Sequence, residues 1–184
     1  FRMYWKEFMH QCVEIGMGAL PIVIIISLFL GAVTTIQTAY QLVSPLVPQS
    51  TIAQIVRDSM ILELSPTVLS IVLAGVIGSK ISSELGNMRV TEQIDAMEVS
   101  GTKPLSFVVA SRVLATTVTV PILVIFADAF SFLGAFLAVN TFENTSTTLF
   151  INRAFGMLTF QDLLPATVKT IFFGFFIGLI GCFK

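Results

Sequence analysis

The chain has 184 residues, 55% of them hydrophobic and 11% charged, with a formal net charge of −1. Soluble domains carry about 25% charged residues, so this composition excludes an ordinary soluble domain and defines an integral membrane protein. A near-neutral balance without a basic run argues against nucleic acid as a partner. One histidine, His10, and two distant cysteines, Cys12 and Cys182, argue against a metal site or a disulfide framework.

The opening stretch mixes Tyr4, Trp5 and Phe8 with Arg2, Lys6 and Glu7, which predicts an interfacial helix over residues 1–12. A first membrane span follows over 13–41, uncharged after Glu14 and long enough to cross a bilayer. Gly16, Gly18, Pro21 and Gly31 within it predict a bent, closely packed helix. Pro45 and Pro48 mark a turn at 43–50, and a second span occupies 51–80. Its first part carries Arg57, Asp58 and Glu63, which must face protein or water, while Gly75 and Gly78 provide a small-residue face.

The segment 84–100 holds Glu84, Arg89, Glu92, Asp95 and Glu98 between two apolar stretches, so it must sit outside the hydrocarbon. Gly86-Asn87 is the expected break. A helix over Met88–Val99 is then stopped by Ser100-Gly101 and Pro104. Val90, Ile94 and Met97 recur as one apolar stripe, and Glu92, Asp95 and Glu98 form an acidic face beside it. About 12 residues cannot span a bilayer, so this amphipathic helix should lie on the membrane surface.

A third span covers 105–139, with Arg112 near its start, Pro121 inside and Asp128 deep within. The polar stretch 140–148 reads as an outer loop, and 149–159 as a short amphipathic helix carrying Arg153. The fourth span covers 162–184, where Gly174 and Gly178 make a small-xxx-small pair. Arg2, Lys6, Lys80, Arg89, Lys103, Arg112 and Lys184 fall on the side of the charged segment. Only Arg57, Arg153 and Lys169 fall on the other, so the positive-inside rule places the surface helix in the cytoplasm.

Little enzymatic chemistry is encoded. Gly75-Val-Ile-Gly-Ser-Lys80 has the wrong spacing for a phosphate-binding loop, and a Ser-His-Asp set could form only through His10. A transporter subunit driven by something else fits better than an enzyme. Asp128 has two open readings, a point on an ion or substrate path or a locally paired group near a span end. Glu63 and Arg57 share that duality.

The run Glu84-Leu-Gly-Asn-Met-Arg-Val-Thr-Glu-Gln-Ile-Asp-Ala-Met-Glu98, followed by Gly101, Pro104 and Arg112, resembles the MlaE/YrbE family. These are permease subunits of MCE-associated ABC transporters that move phospholipid in double-membraned bacteria. Glu63-Leu-Ser-Pro66 resembles that family's Glu-Leu-Gly-Pro turn with Ser65 in place of glycine. Gly75, Asp162-Leu-Leu164, Lys169 and Gly181-Cys182 also fall where the family has like residues.

The resemblance implies an all-α polytopic permease, truncated at both ends. It would form a single domain over 1–184, with four visible spans of an expected five. It also implies a homodimer in the bacterial inner membrane, an MCE-domain partner and a separate ATPase subunit that holds ATP and Mg, with no cofactor in this chain. ATPase coupling would fall to Glu84, Gly86, Met88, Arg89, Thr91, Glu92, Gln93, Asp95, Met97 and Glu98. Leu28, Leu30, Val33 and Glu63 would line the lipid path. Two rival readings remain: an ion-coupled carrier or channel using Asp128 and Glu63, and a membrane scaffold without transport.

Overall fold

The computed structural model describes residues 2–41, 50–101, 105–142 and 160–183, and every regular element among them is helical. The expected turn from 43, the polar loop from 143 and the helix at 149–159 with Arg153 lie outside the described residues, as does Lys103. Helix α1 runs Arg2–Gln41. Helix α2, Ser50–Ser59, leads through a wider π-helical segment, Met60–Leu69, into α3, Ser70–Val90. A short α4 spans Gln93–Val99. A second π-helical segment, Leu105–Val109, opens α5, Ala110–Phe142, and α6 spans Phe160–Phe183. Four stretches are long and apolar enough to cross a membrane: Trp5–Gln41, Gln54–Val90, Phe107–Thr141 and Leu163–Phe183. The protein is therefore an all-α, multi-pass membrane protein.

Two expected boundaries move. The interfacial segment is not separated from the first span, because α1 continues without a break from Arg2. Nothing between His10 and Gly18 stops a helix. Side-chain pairs one turn apart favour it: Gln11 donates to Glu7 at 3.2 Å, and His10 lies 3.6 Å from Glu14. Likewise Gly86-Asn87 does not break the chain. No neighbour crowds Gly86, and α3 passes straight through to Val90.

The chain forms two compact units. One comprises Phe1–Pro21, Ser70–Leu123 and Thr170–Lys184. Here Gly174 and Gly178 of α6 lie directly on α5; a Cβ at Gly174 would stand 2.7 Å from the Thr116 carbonyl oxygen. Gly181 faces Gly78 of α3, and the Ser82 hydroxyl donates to the Gly181 carbonyl at 3.1 Å. Small residues thus allow backbone-to-backbone approach, the main source of helix association where lipid is as apolar as leucine. Leu73, Ile77, Ile81, Ala115 and Val120 fill its interior.

The other unit comprises Ile22–Leu69 and Val124–Lys169. Gly31 of α1 backs onto the Ser131 main chain of α5, and Gly134 of α5 backs onto Leu28 of α1. Val56, Met60, Ala135 and Val139 form a buried cluster, with Leu30 and Leu64 packed on it. Several hydroxyl groups inside these helices are satisfied locally. Thr35, for example, donates to the Gly31 carbonyl at 2.8 Å, bonding back to the preceding turn. Large apolar groups such as Phe29, Leu133, Phe172 and Ile180 remain exposed, as a lipid-facing surface requires.

Candidate functional site

The charged segment begins with a sharp turn. Thr91 bonds back to the Asn87 carbonyl with both its N–H at 3.0 Å and its hydroxyl at 2.7 Å. The Glu92 N–H then reaches the Arg89 carbonyl at 3.2 Å, and Glu92 adopts a left-handed backbone, φ 56° and ψ 19°. A non-glycine residue there carries a steric cost of roughly 1–2 kcal/mol. From this turn α4 starts, with the Ala96 N–H on the Glu92 carbonyl at 3.0 Å. It ends at Ser100 and Gly101, whose φ of 79° is the left-handed closure that glycine favours.

The turn splits the expected amphipathic helix. Val90 stays on α3 and is 84% exposed, so it does not continue the stripe of Ile94 and Met97, which are half-buried. Asp95 and Glu98 are exposed on α4, and Glu92 occupies the turn itself. No residue of α4 is buried. Arg89, Thr91 and Gln93 are likewise exposed, as is Gly86.

Glu84 and Met88 have a different surrounding. On α3, two turns and one turn before the kink respectively, they face Arg112 of α5. Arg112 Nη2 is 3.0 Å from Glu84 Oε2 and 3.7 Å from Met88 Sδ. The Arg112 side chain is 5% exposed, and among the described residues its Nε and Nη1 have no partner. Glu84 Oε1 lies 3.9 Å from Lys80, whose ammonium is 3.2 Å from Glu14 of α1 and donates to the Glu14 carbonyl at 3.3 Å. Opposite charges therefore alternate from Glu14 through Lys80 and Glu84 to Arg112, joining α1, α3 and α5 just ahead of the kink. Arg112, Lys80 and Glu14 were absent from the residues expected to couple. Their positive or negative character was visible, but their pairing across 28 and 66 residues of sequence was not.

A second polar group lies in the other unit. The Glu63–Pro66 stretch is not a turn but part of the π-helical segment Met60–Leu69. Pro66 lacks an N–H and cannot close a normal α turn, so the wider spacing accommodates it. Glu63 is exposed, while Ser65 is buried and hydrogen-bonds Asp128 of α5. Asp128 Oδ1 is buried without a partner among the described residues. Lys169 of α6 donates to the Leu62 carbonyl at 3.2 Å. Arg57 pairs with neighbouring Asp58 at 2.7 Å. Of the residues expected to line a lipid path, Leu30 packs into the core, Leu28 is half-buried, and Val33 is 56% exposed.

Four apolar spans and a kinked, charged helix with no buried residue, next to ion pairs that join α1, α3 and α5, fit a membrane transport subunit. Comparison with known proteins is consistent with that class. A family described as Permease MlaE matches residues 8–184, and the chain belongs to this family. It is similar to a probable ABC transporter permease protein of Rickettsia typhi, 33% identical over 99% of this chain and 70% of the relative. A probable ABC transporter permease protein of Synechocystis is 30% identical over 98% and 68%. The Arabidopsis thaliana protein TRIGALACTOSYLDIACYLGLYCEROL 1, chloroplastic, is 28% identical over 98% of this chain and 51% of its own length.

Proposed function

We propose that this ABC transporter permease of the MlaE family moves phospholipid between a bacterial inner membrane and an MCE-domain partner. ATP hydrolysis, with Mg, in a separate ATPase subunit drives the movement. The observation that carries this reading is α4: a short helix with every residue accessible, Asp95 and Glu98 presented outward, fixed by a strained turn to a long membrane helix. A free-standing solvated loop needs no such attachment. A rigid lever end does, because a displacement imposed on α4 is carried into α3.

Two nucleotide-binding subunits act as a facing pair, and each needs a docking helix. One such segment per chain therefore calls for two copies in closed two-fold symmetry. A lipid with two acyl chains is then held between protomers, where exposed side chains such as Val33 offer an apolar wall. The residues proposed for docking are Arg89, Thr91, Glu92, Gln93, Asp95, Met97 and Glu98. Glu84, Gly86 and Met88 serve the same coupling from within α3.

Replacing Glu92, Asp95 and Glu98 together with Lys tests the docking. Like-charge juxtaposition at an interface costs several kcal/mol, and ~3 kcal/mol lowers affinity ~150-fold. The variant should insert normally yet lose the ATPase on copurification. Undiminished copurification overturns the proposal.

A further inference from the structure

We infer that Arg112, acting through Glu84, Lys80 and Glu14, transmits displacement of the docking segment to the membrane helices, and that Arg112 is a positioning residue of the transport cycle. This rests on the docking reading above and adds to it the route by which motion leaves α4. The route is short. Thr91 and Glu92 form the kink, Met88 lies one turn before it, and Glu84 one turn before that; Arg112 touches both Met88 and Glu84. Lys80, another turn back, is shared between Glu84 at 3.9 Å and Glu14 at 3.2 Å. A rotation or slide of α3 therefore changes its contacts with α5 through Arg112 and with α1 through Lys80 together.

The state of Arg112 distinguishes a moving link from a static staple. A guanidinium has five N–H donors, and a pair built only to hold three helices together would satisfy them. Here Nη2 carries both recorded contacts, while Nε and Nη1 are buried and unpartnered among the described residues. Buried donors left unmet mark stored strain or a group with a second arrangement. Lys80 has the complementary looseness: it is about one-third exposed and reaches two carboxylates on different helices. One under-satisfied cation and one shared cation on either side of Glu84 make a two-position element, which is the physical requirement for coupling between separated sites.

The test uses the full permease copurified with its ATPase and reconstituted in phosphatidylethanolamine/phosphatidylglycerol vesicles containing fluorescently labelled phospholipid. Three quantities are read: ATPase retained on the permease, ATP hydrolysed, and labelled lipid moved per ATP. Glu84→Gln and Arg112→Gln should each keep the ATPase and its hydrolysis but lower lipid moved per ATP at least tenfold. The double variant should be no worse than either single one, and Arg112→Lys should recover part of the ratio. Glu14→Gln, at a half-exposed position where folding is least at risk, should lower the ratio by a smaller factor. An unchanged ratio, losses that multiply in the double variant, or loss of the assembled complex in all variants including Glu14→Gln overturns the inference. Failure of the docking reading is separately visible, as a wild-type permease that retains no ATPase.

Discussion

Gly134→Ala is the sharpest test of the packing. A Cβ at this position would overlap the Leu28 carbonyl oxygen and stand 2.9 Å from its carbon and 3.1 Å from its Cα. Carbon atoms pack at about 3.5–4.0 Å, so α1 and α5 must part locally by at least ~0.6 Å. A gap of that size forfeits about a quarter to a half of each contact's well, and each is worth ~0.1–0.2 kcal/mol. Over ~40 atom pairs, the contacts of one buried leucine, the loss is ~1–4 kcal/mol, with ~2 kcal/mol at mid-range. Alanine's better helix propensity returns up to ~1 kcal/mol. A net destabilisation of ~1–2 kcal/mol follows from these opposing effects.

Gly31→Ala acts on the same helix pair, where its Cβ would lie 2.7 Å from the Ser131 carbonyl carbon. Because either substitution already separates the helices, the double variant should cost less than the sum. Gly75→Ala, with no atom within 4 Å, is the control and should be neutral or slightly stabilising. Unfolding in mixed micelles of increasing SDS fraction measures all four. Equal midpoints for Gly134→Ala and Gly75→Ala would refute the argument.

Asp128→Asn keeps the shape and the hydrogen bond from Ser65 while removing the charge. If ATP supplies the energy, the variant retains lipid transport in the vesicle assay; abolition of transport with assembly and hydrolysis intact would favour an ion-coupled carrier. A photocrosslinking residue at Val33 should capture phospholipid more specifically than one at Phe172 or Phe176, which are exposed on α6. Mass spectrometry of the adducts reads this, and equal labelling at both positions argues against a lipid site at the two-fold axis.

The spans were legible because they depend only on length and hydropathy, which the composition of each stretch states directly. The small-residue contact of Gly174 and Gly178 was legible for the same local reason, and the stop at Ser100-Gly101 required only a glycine in position to take a positive φ. The break in the charged segment was not. Glycine and asparagine at 86–87 are the residue types expected to interrupt a helix, yet they remain helical, and the left-handed residue is Glu92. Glutamate gives no local sign of a positive φ. The turn shows instead where the Glu92 N–H leaves the α register and bonds the Arg89 carbonyl three residues back.

The same distinction between local and long-range causes separates the readable part of the site from the rest. Glu92, Asp95 and Glu98 announce a polar surface because charges cannot rest in lipid, and that inference needs no partner. Glu84 belongs to the same run of sequence but turns inward, and only the packing of α3 against α5 makes it the counter-ion of Arg112. A charge at the edge of a span can equally be solvated, paired or bound to lipid headgroups, and sequence weighs these alike. Burial decides among them. Arg112 is too enclosed to be a headgroup anchor, and a cation so enclosed requires an anion within reach. The nearest one is Glu84, two helical turns before Glu92. The charged run thus contains two groups of opposite exposure: an outer acidic face open to the surroundings, proposed above to meet a partner, and an inner carboxylate that ties α3 to α5.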